Sequence, residues 1–204
     1  MLLSSWLKRI SDRIRSRRYQ PDRKPKKPDR YTQLGLTRLE DRVVLTVSAG
    51  FDLGVLDLML DAQDDVAEVT VGGGSEVLIN GDTVSGGSGG GGEVLTTDFN
   101  RLTATDSSAG MNVTGQEVLI SAALTLSDGL TIDSTIETTT VNAAIDGAST
   151  SSIDIQSADI RLGANLTTTS TNLTLGGNVT VADGLSLTLT TGAGAGSIQI
   201  TGSL

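Results

Sequence analysis

From Val43 to Leu204 apolar residues recur in short groups, each with one polar residue between its members. Examples are Val69/Val71, Leu124/Leu126, Leu130/Ile132, Ile153/Ile155, Ile160/Leu162, Leu173/Leu175, Val179/Val181, Leu185/Leu187/Leu189 and Ile198/Ile200. Period-two alternation puts each group on one face of a strand. Between the groups stand Asp128-Gly129, Gly163, Gly176-Gly177 and Asp183-Gly184, residue types that turn the backbone. The pattern predicts many very short strands in place of a few long ones. All three prolines precede this stretch, so none interrupts it.

The stretch also resembles itself. TLSDGLTI at 125–132 returns as TVADGLSL at 180–187, and LGANLT at 162–167 returns as LGGNVT at 175–180. Repetition of this kind belongs to stacked architectures, in which each unit buries its apolar face only against its neighbours. A β-sandwich of this size would carry several large aromatics in its core, whereas Phe51 and Phe99 are the only ones after Val43. The fold expected is therefore all-β, a right-handed parallel β-helix of Thr/Gly/Asp-rich coils over residues 93–204. Small branched side chains would point inward, and Thr, Ser or Asn would form ladders at the corners. Residues 51–85, FDLGVLDLML followed by AEVTVGGGSEVLINGD, alternate less cleanly and read as an initial hairpin or cap of strands. GGSGGGG at 86–92 reads as a flexible loop.

Charge divides the chain sharply. Residues 1–42 hold 13 of the 15 Lys and Arg against 5 acids, a net of +8. Residues 43–204 hold only Arg101 and Arg161 against 19 acids, a net of −17. A body this acidic repels phosphate backbones, so nucleic acid is not an expected partner. Within the basic part, Leu3, Trp6, Leu7, Ile10 and Ile14 recur at steps of three and four, which predicts a basic amphipathic helix over 1–18. Residues 19–37 contain Pro21, Pro25 and Pro28 among dense charges, the composition of a disordered linker.

Several chemistries lack their side chains altogether. The chain has no cysteine and no histidine, which removes thiolate chemistry, disulfides and the commonest metal ligand. No run approaches the ~20 apolar residues that a membrane-spanning helix needs, so no transmembrane segment is expected. The glycines from Gly87 to Gly92 match GxGxxG in form, but a strand-like Glu93-Val94-Leu95 follows where a dinucleotide site needs a helix. Acids stand together at Asp61, Asp64 and Asp65 and singly at Asp128, Asp133, Asp146, Asp154 and Asp159. A β-helix polysaccharide lyase or hydrolase would need two of them at a fixed separation. Most sit beside turns, where Asp caps the backbone. GGGSEVLING at 72–81 only approximates one calcium-binding nonapeptide, with Glu76 out of place. Weak surface calcium binding is compatible with this composition, but no metal or cofactor site is defined. Sequons occur at Asn112, Asn165, Asn172 and Asn178, and Arg17-Arg18 lacks the apolar run of a twin-arginine signal.

The stretch RLEDRVVLTVSAG, residues 38–50, joins the basic and acidic parts. Its Leu39, Glu40, Asp41, Arg42, Val43, Val44 and Leu45 resemble the LEPR-XLL motif of planctomycete-type surface and extracellular proteins. Asp41 stands in place of the proline and Val44 in place of the first leucine of the final pair. That resemblance implies export and a location on or outside the cell, in proteins built largely of adhesin-like repeats. The body is similar in texture to filamentous-haemagglutinin-like and autotransporter-type passenger repeats. Val47-Ser48-Ala49 meets the small-residue rule for cleavage between Ala49 and Gly50. The function expected is thus non-catalytic, structural or adhesive, with the export machinery as a partner through the leader and surface proteins or glycans as further partners. A secreted calcium-dependent binding module and the β-helix enzyme are the alternatives. Because the sequence stops at SIQITGSL on an apparent strand, it reads as the front part of a larger adhesin or as a chain that assembles end to end.

Overall fold

The structure is a computed structural model that describes residues 47–87, 92–107, 114–148 and 151–204. The chain divides into two compact units, Met1–Arg42 and Val43–Leu204, and every described residue falls in the second. The helix expected over 1–18, the linker over 19–37 and the motif Leu39–Leu45 all lie outside the described residues.

The described residues are all-β, with no helix among them. β1 (Val47–Asp52) and β2 (Val55–Leu60) form an antiparallel hairpin, and β3 (Val66–Val71) follows. An antiparallel excursion comes next: β4 (Val77–Ile79) pairs with β3 and with β5 (Asp82–Thr83). The β4–β5 turn is Asn80-Gly81, both with positive φ (54° and 85°), the two-residue turn that Asn-Gly favours. β6 (Ser85–Gly87) and β7 (Gly92–Glu93) then close the base of the glycine-rich stretch. β8 (Arg101–Asp106) returns parallel to β2.

From there the chain makes the same circuit repeatedly. β9 (Glu117–Ile120), β10 (Leu124–Leu126) and β11 (Gly129–Ile132) are followed by β12 (Thr138–Val141), β13 (Ile145–Gly147) and β14 (Ile153–Ile155). β15 (Asp159–Leu162), β16 (Leu166–Thr168) and β17 (Leu173–Leu175) come next, then β18 (Asn178–Val181), β19 (Leu189–Thr190) and β20 (Ile198–Ile200). Three large sheets result, in the orders β1-β2-β8-β11-β14-β17-β20, β5-β4-β3-β9-β12-β15-β18 and β10-β13-β16-β19. Each sheet is parallel wherever successive circuits meet and antiparallel only among the N-terminal strands.

This register stacks like on like. In the first sheet Leu56, Leu102, Leu130, Ile153, Leu173 and Ile198 form one inward column. Leu58, Ala104, Ile132, Ile155, Leu175 and Ile200 form the next. In the third, Leu124, Ile145, Leu166 and Leu189 align. Alternation thus turns into columns of buried aliphatics, and burial of such surface drives folding.

An inward column of the second sheet carries a polar residue, as does that of Leu126, Gly147 and Thr168 in the third. Thr139 stands between Val118 and Ile160 in the second sheet and is fully buried, and its hydroxyl lies 2.6 Å from that of Ser157, also fully buried. Thr139→Val strands the Ser157 hydroxyl and is expected to cost about 1–3 kcal/mol, whereas Thr139→Val with Ser157→Ala costs less than the two single changes together. Urea titration of the four proteins measures the coupling.

The Leu185/Leu187/Leu189 group differs from its sequence pattern. Only Leu189–Thr190 is a strand, and Leu185 is half exposed. The partner strand explains this: β16 meets β19 at Leu166↔Leu189 and Thr167↔Thr190, and the ties to that circuit reach back no further than Thr188, whose C=O accepts the Leu166 N–H (3.2 Å) and whose N–H donates to Asn165 Oδ1 (2.8 Å).

Candidate functional site

The outward columns are the regular feature of this surface. On the first sheet Asp57, Thr103, Thr131, Asp154, Thr174 and Gln199 stand in register. On the third, Thr125, Asp146, Thr167 and Thr190 do so. Neighbouring strands lie about 4.8 Å apart, so hydroxyl, amide and carboxylate groups recur at that spacing along each face. They bond within the ladder: Thr103 donates to Asp57, Gln156 Nε2 to Asp154, Thr140 Oγ1 to Glu117 (2.9 Å) and Arg101 to the Thr131 hydroxyl (3.3 Å).

The carboxylates singled out by the sequence serve separate places. Asp65 is fully buried and its Oδ2 accepts the backbone N–H groups of Asp61 (3.1 Å) and Ala62 (2.8 Å), which fixes the bend between β2 and β3. Asp64 holds a positive φ of 60° in that bend. Asp133 accepts the N–H of Thr135 (2.9 Å) in a turn. Asp128 precedes Gly129, and Asp146, Asp154 and Asp159 lie on three different sheets. No group of three or more acids close enough to share a metal ion occurs among the described residues. The described residues include two open grooves. One, of about 420 Å³, runs between Val47 and Ala49 of β1 and Ile79–Ser85, with Asp82 its titratable side chain. The other, of about 670 Å³, is lined by hydroxyls and methyls of Thr70, Val71, Thr96, Ser121, Ala123 and Thr125.

Three of the four sequons prove to be joints between circuits. Asn165 Oδ1 accepts the N–H of Thr188, Asn172 Oδ1 that of Ser197, and Asn178 Oδ1 that of Ser203. Each amide thereby ties one circuit to the next. Asn112 lies outside the described residues. The sequence reading did not single out Gln116, which is fully buried with neither Oε1 nor Nε2 hydrogen-bonded. Nothing in the local pattern marks it, because its burial comes from the circuits packed around it.

Ala49 and Gly50 fall inside β1, where they pair with Leu58 and Asp57. A cut between them would leave only Gly50, Phe51 and Asp52 of the strand attached to the body. The described residues are thus an all-β body whose regular feature is a set of polar ladders on stacked parallel strands. Comparison with protein-family models, with curated proteins and with solved structures finds no match for this chain.

Proposed function

We propose that this chain is a non-catalytic exported protein of the cell surface or extracellular matrix, in which a right-handed parallel β-helix plays a structural or adhesive part. The observation that carries the reading is the register: three sheets are visited in the same order, with aliphatic columns inside and columns of Thr, Asp and Gln outside. Parallel strand connections are right-handed almost without exception, which supplies the hand. Repeating polar ladders give an adhesive surface many equivalent hydrogen-bonding points, so contact strength grows by multiplicity and not by one pocket. The likeness of Leu39–Leu45 to the LEPR-XLL motif and the basic leader support export through dedicated machinery. Surface proteins and glycans are the partners this face suits.

Fractionation of the cells that make the protein tests it. The expected result is material on the surface or in the medium. Full-length protein confined to the cytoplasm overturns the reading. N-terminal sequencing of the exported form then decides processing: a start at Gly50 means cleavage after Ala49, and retention of Val47–Ala49 means that β1 enters the surface intact.

A further inference from the structure

Asn80 stands exposed at the tip of the β4–β5 hairpin with Gly81 after it. Every other asparagine of the chain precedes a residue that carries a side chain. Asparagine before glycine is the pair most open to attack by its own backbone, because no Cβ shields the following nitrogen. The Gly81 nitrogen adds to Cγ of Asn80 and a C–N bond forms. The Gly81 amide proton passes through solvent to Nδ2, which leaves as ammonia. Water then opens the cyclic imide at either carbonyl and leaves aspartate or isoaspartate, with no oxidant or other reactant needed.

The fold opposes this reaction in two ways. Asn80 Oδ1 accepts the N–H of Glu68 (2.8 Å), Nδ2 donates to the C=O of Val66 (2.8 Å), and the Asn80 N–H donates to the C=O of Glu68 (2.9 Å). All three partners belong to β3, so the carboxamide is pinned across that strand. The positive φ angles of Asn80 and Gly81 (54° and 85°) also define a mirror-image type I turn. Its first central ψ is about +30°, which turns the following nitrogen nearly opposite Cβ about the Cα–C bond. Ring closure needs that nitrogen beside Cβ, so the turn has to open first. We propose that Asn80 is a fold-gated self-modification site, closed in the native hairpin and deamidated when β4–β5 lifts from β3. The product does not restore the lock. A carboxylate oxygen replaces the Nδ2 donor and faces the Val66 carbonyl oxygen, acceptor against acceptor. An isoaspartyl linkage adds a methylene to the backbone of a two-residue turn. The proposal depends on neither export nor adhesion.

Peptide mass spectrometry of the full chain, held in parallel at mildly alkaline pH in native buffer and in urea, provides the test. Asn80 is expected to convert in urea and to convert at least about tenfold more slowly in the native protein, where closure waits on opening of the hairpin. Equal rates in the two samples overturn the proposal, as does an Asn80 that survives in urea. Asn80→Asp keeps a turn-forming Asp-Gly pair and reproduces one product. Circular dichroism matching the parent shows that this variant folds. Hydrogen exchange of the residue 80 and Val84 amides, bonded in the parent to Glu68 and Val77, should speed by about three- to tenfold, the loss of one hydrogen bond. Exchange at these amides unchanged by Asn80→Asp overturns the claim that deamidation releases the lock.

Discussion

Gly177→Ala and Gly129→Ala are expected to destabilise the fold by more than about 3 kcal/mol each, enough to leave a marginally stable domain largely unfolded. A Cβ on Gly177 would lie 1.8 Å from the carbonyl oxygen of Ser157 and 2.5 Å from that of Ala158. Both are backbone atoms of the preceding circuit, and moving them means breaking ladder bonds such as Asn178 N–H to Ala158 C=O (2.8 Å). Gly129 combines a φ of 100° with a Cβ site 2.3 Å from the Ser152 carbonyl oxygen, so strain and overlap add there. Gly50→Ala and Gly73→Ala are the controls, since nothing lies within 4 Å of either Cβ site. Their urea midpoints should stay within about 0.5 kcal/mol of the parent or rise slightly. If Gly177→Ala unfolds at the parent's midpoint, successive circuits do not approach at that corner as described.

The same corners explain how much of the architecture the sequence discloses. Period-two pairs such as Ile153/Ile155 and Leu173/Leu175 announce strands because each inward residue must be apolar to enter a column, and the structure places both pairs in strands. The Asn80-Gly81 turn, with two positive φ angles that few residue pairs tolerate, is a signal that strand alternation alone does not use. Local alternation does not reveal which strands pair. That choice depends on loop lengths between circuits, and the loops vary, so Leu185 follows the pattern yet lies in a turn, its N–H donated to the Ala182 carbonyl, and not in a strand.

Side-chain roles were less legible than strands. Asp61, Asp64 and Asp65 look alike in sequence, yet only Asp65 turns inward to hold two backbone N–H groups. Its burial depends on the bend between β2 and β3, a tertiary fact with no local signature. Asn165, Asn172 and Asn178 likewise read as sequons or corners, and only the stacking of circuits shows their carbonyl oxygens bridging to the following one. The stretch RLEDRVVLTVSAG reads as both an address and a strand. Its last four residues, Val47 to Gly50, open β1, the outer strand of the first sheet, and a cut after Ala49 would fall within them.

Stacked circuits also dictate where truncation hurts most. Ile155→Ala is expected to cost about 2–5 kcal/mol, the range for emptying a large aliphatic site in a core that relaxes only partly. Ile155 lies in register between Ile132 and Leu175, and all three are fully buried. The cavity would be walled by rigid strands above and below, each fixed by ladders on both edges, so collapse is restricted and the cost should lie in the upper half of that range. Thr174→Ala, one residue from Leu175 but in an outward column, should cost less than about 1 kcal/mol, because it loses strand propensity and no buried surface. Urea denaturation of both variants reads the contrast. Equal losses at the two positions would mean that the inward and outward columns are not separated as the register requires. A large loss at Ile155 with an unchanged denaturant slope would mean that the circuits unfold as one cooperative unit, as nearest-neighbour stacking with strong interfaces demands.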